Sequence, residues 1–175
     1  MSRRRVLATA GWIALMLPAP RAAAAWFGRL FAGTPPELGV VDGALRPCPD
    51  KPNCVSSQAA DSAHAIAPFR YDGEMGDAMT RLADVVAAQQ GAVIVSRRAG
   101  YLRAEFTSRI MGFVDDVEFT ADAPSHTIHV RSASRLGYSD LGVNRARVEN
   151  LRRQFAVPSH GSPQPQRTSF PKPKR

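Results

Sequence analysis

Three consecutive stretches of period-two alternation constrain the fold more than any other feature of this chain. In Tyr101–Ser108, Leu102, Ala104 and Phe106 alternate with Arg103 and Glu105. In Gly112–Thr120, Phe113, Val117 and Phe119 share one parity and Asp116 and Glu118 the other. In His126–Ser134, Ile128 and Val130 alternate with His129 and Arg131. Successive side chains of a strand point to opposite faces, so each run describes a strand with one apolar face. Ala99-Gly100 and Ala121–Ser125, with Pro124, supply the turns. The last two strands then form a hairpin. Setting Phe119 opposite Ile128 places Val117 opposite Val130 and Asp115 opposite Ser132. On the other face the same register sets Glu118 across from His129 and Asp116 across from Arg131, favourable opposite charges. The expected sheet has one apolar face and one solvated face of mixed charge.

Helical spacing flanks these strands. Met75, Met79, Leu82, Val85 and Val86 make Glu74–Gln90 an amphipathic helix, with Asp72 and Gly73 before it and Gly91 as its stop. A second helix starts near Asp140, capped by Asp140 or Ser139, and runs to about Phe155. Leu141, Val148, Leu151 and Phe155 form its expected apolar stripe, with Asn144 inside that stripe and Arg145 at its edge. Ile66–Tyr71 reads as a short strand and Ala92–Arg98 as a longer one. The order strand–helix–four strands–helix predicts an α+β fold: a curved antiparallel sheet of four to five strands with two helices packed on one face. No helix separates the middle strands, so a TATA-binding-protein-like or helix-grip-like arrangement fits better than a ferredoxin-like one.

The chain is strongly basic, with a formal net charge of +8, which invites a nucleic-acid reading. The location of the charges removes it. Residues 1–25 carry four arginines and no acid, and residues 158–175 carry two arginines, two lysines and no acid. Residues 26–157 therefore hold fifteen basic and fifteen acidic side chains, so no nucleic-acid partner is expected. Residues 1–25 read as an export signal peptide: Arg3, Arg4 and Arg5, an apolar run from Val6 to Leu17, then small residues to Ala25. That run is too short to span a bilayer, and cleavage before Trp26 leaves no transmembrane helix in the mature chain. Ser2-Arg-Arg-Arg-Val-Leu7 resembles a twin-arginine signal, the alternative being an ordinary Sec signal. The expected location is the periplasm or the extracellular space. Residues 26–45, rich in glycine and proline, form an extended arm; 46–157 form one domain; 158–175, with five prolines and four positive charges, form a disordered tail.

Between arm and domain lies Arg46-Pro-Cys-Pro-Asp-Lys-Pro-Asn-Cys54, a stiff, non-helical loop. In an exported chain with two cysteines, Cys48 and Cys54 read first as a disulfide. A zinc site needs more ligands, and none of His64, His126, His129 and His160 stands in a recognisable Cys/His pair. No metal and no cofactor are expected.

Functional groups are densest where the last strand hands over to the last helix. Arg131, Ser132, Ser134, Arg135, Tyr138, Ser139, Asp140, Asn144 and Arg145 are the candidate binding residues there. Free N–H groups at a helix start favour an anion, and Arg131, Arg135 and Arg145 are placed to recognise one. The competing structural reading has Asp140 capping the helix and Asp116 neutralising Arg131. A hydrolase assembled from Ser132, Ser134 or Ser139 with His129 and Asp115 or Asp140 is the alternative. It lacks a Gly-x-Ser-x-Gly elbow, and strand parity turns His129 away from Ser132 and Ser134. No catalytic residue is assigned; a binding or envelope-support module with a small anionic or envelope ligand leads.

Leu45-Arg-Pro-Cys-Pro-Asp-Lys-Pro-Asn-Cys-Val-Ser-Ser57, Phe113-Val-Asp-Asp-Val-Glu-Phe119 and the run from Ile128 to Val148 closely resemble an uncharacterised, largely bacterial family, domain of unknown function 1499. The resemblance covers roughly residues 38–155. It implies exported or membrane-associated proteins and carries over no activity and no catalytic residue.

Overall fold

A computed structural model describes residues 32–157. The expected signal peptide and basic tail lie outside these residues. Eight strands and two helices follow in order: β1 (Val40–Val41), β2 (Ala44–Leu45), β3 (Cys54–Ser56), β4 (Phe69–Arg70), α1 (Met75–Ala87), β5 (Ala92–Arg98), β6 (Tyr101–Thr107), β7 (Val114–Asp122), β8 (Thr127–Ser134) and α2 (Val143–Ala156). Six of the strands build one antiparallel sheet ordered β3–β8–β7–β6–β5, with β4 pairing β8 beyond β3, while β1 and β2 form a separate two-stranded ribbon. The α+β class is as the patterns predict. The expected count of four to five strands is exceeded because β3, three residues inside the proline-rich loop, is too short to leave a periodic signal.

Both helices contribute to one apolar core. Met79, Leu82 and Val86 of α1 and Val148, Leu151 and Phe155 of α2 join Leu102, Ala104, Val117, Phe119, Ile128 and Val130 of the sheet. Phe69 sits at the centre, edge-on to both Phe119 and Phe155 with ring centroids 5.6 Å apart in each case. Leu141 departs from expectation: it lies before α2 and is 94% exposed, so Asn144 takes the first place in the buried stripe. The chain reaches α2 through two left-handed residues, Leu141 (φ 53) and Gly142 (φ 83), and this turn carries the leucine off the helix face. Phe113, read as inward, precedes β7 and is half-exposed.

The β7–β8 register differs from the expected one by two residues. Phe119 faces Val130, Val117 faces Ser132, Glu118 faces Arg131, Asp116 faces Ala133 and Asp115 faces Ser134. The ladder closes at Asp122 and Thr127, and His126 turns the chain in the left-handed region. β7 thus takes in Ala121 and Asp122, the first two residues of the expected turn. A shift by an even number leaves every side chain on its own face, so the expected faces hold while the cross-strand partners change.

The larger correction concerns the charged face. It is not solvated: Glu118 is fully buried and Asp116 is 1% exposed. The arm lies across it, anchored where the Gly39 N–H donates to Glu118 Oε1 at 2.7 Å. The arm's composition shows neither period two nor 3.6, and so gave no sign that it covers a sheet.

Gly91 is one position where only glycine fits. Its φ is +77°, and a Cβ there would stand 2.5 Å from the Thr107 carbonyl oxygen, which is backbone and cannot move aside. Gly91→Ala is expected to lower stability by about 2 kcal/mol or more, read as a shift in the urea midpoint at unchanged slope.

Candidate functional site

The site begins with parity. Arg103 and Glu105 on β6, Asp116 and Glu118 on β7, and Arg131 on β8 all project from the covered face, and Arg135 follows at the end of β8. Three cations and three acids thereby share one face, with the side chains of Asp116, Glu118, Arg131 and Arg135 buried and those of Arg103 and Glu105 part-buried at its β6 side. Buried charges persist only when paired and hydrogen-bonded, and most of these are. Arg135 grips Asp116 in a fork, Nε to Oδ2 at 2.7 Å and Nη2 to Oδ1 at 2.9 Å, and also bonds Glu105. Arg103 reaches the same Asp116 Oδ1 at 2.9 Å and Glu105 at 3.2 Å. These hydrogen bonds, those to Asp116 foremost, hold the Arg135 guanidinium above the ordinary arginine range. Glu118 accepts from Tyr101 Oη at 2.8 Å as well as from Gly39. Burial, then the Glu118 contact, pushes the Tyr101 phenol well above its usual value.

Arg131 stands apart. Its side chain is 7% exposed, yet its closest acid oxygen, Glu118 Oε2, lies 3.6 Å away, beyond hydrogen-bonding range. Nε and Nη1 are buried with no partner, and so is Glu118 Oε2. Burial depresses the Arg131 guanidinium despite the attraction of Glu118 and Asp116. This side chain lines a cleft of about 570 Å³. The arm supplies one wall through Thr34, Pro36 and Glu37; the disulfide loop supplies another through Pro47, Cys48, Pro49 and Lys51. Asp116, Arg135, Leu136 and Gly137 complete it. Cys48 and Cys54 are bonded to each other, as the sequence predicts, and the loop they close carries Asn53 into the same cleft. Asn53 Nδ2 donates to the Gly137 carbonyl at 2.8 Å, which fixes the amide so that Oδ1 points the other way, buried and unpartnered.

On the opposite face a second polar cluster docks α2. Asn144, fully buried, accepts from Ser132 Oγ and from Arg147 Nη1, and donates to Ser134 Oγ at 3.0 Å and the Asn53 carbonyl at 3.1 Å. Arg147 also pairs with Asp115. Asp140 lies two residues before the Gly142 N-cap, and its carboxylate accepts the Asn144 N–H at 2.7 Å and the Gly142 N–H at 3.0 Å. Arg145 donates to the Ala65 and Ala63 carbonyls and so fastens the 61–65 loop. There His64 bonds Asp61 at 2.8 Å, which raises the imidazole above its usual range.

The nine residues singled out from sequence thus divide. Arg131 and Arg135 belong to the covered cleft, whose wall Ser134 also touches. Ser132, Ser134, Asp140 and Asn144 form the docking network of α2, and Arg145 holds a loop. Tyr138 is 72% exposed, and the Ser139 hydroxyl accepts the Leu141 N–H. The groups named for a hydrolase do not converge: His129 shares the covered face's parity, opposite to Asp115, Ser132 and Ser134. Its Nδ1 lies 3.2 Å from the Ser57 hydroxyl, which also accepts the Val130 N–H. The expected pairing of Asp116 with Arg131 is replaced by Asp116 with Arg103 and Arg135, because the two-residue shift sets Glu118 across from Arg131. Asn53, Glu105, Asp116, Glu118 and Arg147 escaped the sequence reading as site residues. The acids were legible as one face, but burial depends on an arm that carries no periodic signal.

Fold and site together define a small α+β module with an enclosed lattice of ion pairs and one arm-covered cleft. The family model described as a protein of unknown function, DUF1499, matches residues 44–155, and the chain belongs to that family. No curated protein matches the chain, and no solved structure does. Among the described residues no helix is long and apolar enough to cross a membrane.

Asn144→Ala removes the common partner of Ser132, Ser134, Arg147 and the Asn53 carbonyl. Stranding several buried polar groups is expected to cost about 2–3 kcal/mol, seen as a lower urea midpoint, whereas Tyr138→Ala should leave the midpoint within about 0.5 kcal/mol.

Proposed function

We propose that this protein is a non-catalytic binding module of the cell envelope, exported through the signal peptide read in residues 1–25. Its ligand site is the arm-covered cleft, and its ligand is a small anion. The observation that carries the reading is Arg131: a buried guanidinium with no hydrogen bond, lining a cleft large enough for a small ligand. Guanidinium offers five N–H donors in a plane, and leaving such donors unmade in a low-dielectric site costs more than an average hydrogen bond returns. A carboxylate or phosphate satisfies them with charge-assisted, forked bonds. Cations lining the cleft outnumber acids, with Arg46, Lys51, Arg131 and Arg135 against Glu37 and Asp116. A curved sheet gripping helices, in the helix-grip or TATA-binding-protein manner, suits this role because its free face is left for an arm and a ligand. Export by the twin-arginine route belongs to the same reading.

The test is calorimetric titration of the purified protein with inorganic phosphate and glycerol phosphate. Arg131→Lys keeps a charge beside Glu118 but loses the planar fork, and is expected to weaken binding at least tenfold with the fold intact. Lys51→Gln, at the exposed side of the cleft, should weaken it less and lower its salt sensitivity. Equal affinity in the wild type and Arg131→Lys would remove the cleft from the account. Ester or phosphoester turnover lost in Ser57→Ala or His129→Ala would overturn the non-catalytic reading. Retention of Met1 on a cytosolic protein would overturn export.

A further inference from the structure

Exposed apolar side chains are concentrated at one end of the sheet. Of the twelve large hydrophobic residues exposed among the described residues, seven lie in two segments: Ile110, Met111 and Phe113 between β6 and β7, and Leu136, Tyr138, Leu141 and Val143 from the end of β8 to the first residue of α2. The two segments meet at the same edge, where the Arg135 N–H bonds the Val114 carbonyl. Ile110 is 93% exposed at the tip of its loop, and Leu141 is equally bare. Scattered apolar residues are ordinary on a protein surface, whereas a grouping of this kind marks a binding surface. Leu141 adds a second oddity, since it occupies the left-handed region (φ 53), where a leucine is strained and glycine or asparagine is not. At 94% exposure its side chain packs little against the other described residues, and an outlier of this sort points towards function.

We infer that this end of the protein docks on a membrane surface and that the cleft takes the headgroup of an acidic phospholipid, a proposal that rests on the anion-binding reading of the cleft. Ile110 and Leu141 project almost fully from their loops, as side chains that enter a bilayer interface do. Their charge agrees with an anionic surface: the 108–113 segment carries Arg109 and no acid, and Asp140 in the other is engaged with the N–H groups that start α2. Leu136 and Gly137, at the root of the second apolar segment, also line the cleft. Inserted loops therefore bring the cleft to headgroup level. A phosphate supplies acceptors for Arg131. A headgroup hydroxyl supplies the donor that the fixed Asn53 Oδ1 lacks. Phosphoglycerol meets both requirements.

The experiment is vesicle co-sedimentation of the protein as the cell processes it, with phosphatidylcholine vesicles and with vesicles that also contain phosphatidylglycerol. The wild type is expected to bind the mixed vesicles and not the neutral ones. Ile110→Ser with Leu141→Asn should lower vesicle affinity about a hundredfold, while its melting temperature is kept or raised, since asparagine accepts the left-handed conformation. That double variant should still bind soluble glycerol phosphate as the wild type does. Arg131→Lys should lose most of the binding to the mixed vesicles, and with it the preference for phosphatidylglycerol. Glycerol phosphate binding without any vesicle binding would overturn the membrane inference and leave the anion reading standing. Vesicle binding that ignores phosphatidylglycerol content and Arg131 would reduce the loops to apolar adsorption and overturn the headgroup assignment. If the double variant instead converts a dimer to a monomer in sedimentation velocity, the occupant is a second copy of this chain and the inference fails.

Discussion

Asp116 accepts from both Arg103 and Arg135, and this buried three-body contact is the constraint around which the covered face is arranged. A carboxylate at 1% exposure must have its charge met locally, and two guanidiniums do so from opposite neighbouring strands. Their joint hold fixes β6, β7 and the end of β8 in one register, because a slip by even two residues would leave acid or base without its fork. Glu105 shares both arginines, which converts a pair into a lattice. Such lattices contribute less to stability than an apolar core of equal volume. Their weight is in specifying which strand residue meets which.

The arm, the disulfide loop and the sheet are mutually dependent through that lattice. Gly39 N–H joins Tyr101 Oη on the same buried oxygen of Glu118, and Leu45 N–H reaches Gln58 at 2.9 Å. The bond between Cys48 and Cys54 keeps Asn53 where its amide spans from Gly137 to the cleft and its carbonyl meets Asn144. One residue in the closed loop therefore touches both faces of the sheet. The cleft is a by-product of this closure: the arm covers the acids but stops short of filling the space beside Arg131. A membrane at the apolar end and an anion in the cleft fit one geometry, because Leu136 and Gly137 join the two.

Much of this was legible in residue patterns. Period-two alternation in β6, β7 and β8 assigned every side chain of those strands to its face, since the pleat leaves no other arrangement. Helical spacing located α1 and α2 to within a few residues, and cysteine count gave the disulfide. Asn144 was marked as a polar residue inside an apolar stripe, and the structure supplies its partners. Leu141 was misplaced because a periodic count cannot register a left-handed turn that takes one residue off the helix.

What the sequence by itself determined was local: which residues are extended or helical, and which side of each element is apolar, because those properties follow from repeat lengths of two and 3.6. What only the tertiary structure decided was non-local. The β7–β8 register depended on how the chain turns at His126, and a two-residue choice leaves the pattern of faces unchanged. Whether the charged face meets water depended on an arm some eighty residues away in sequence, whose Gly39 N–H donates to a buried carboxylate. Burial is a property of what lies opposite a surface, and no residue's own sequence neighbourhood contains that information.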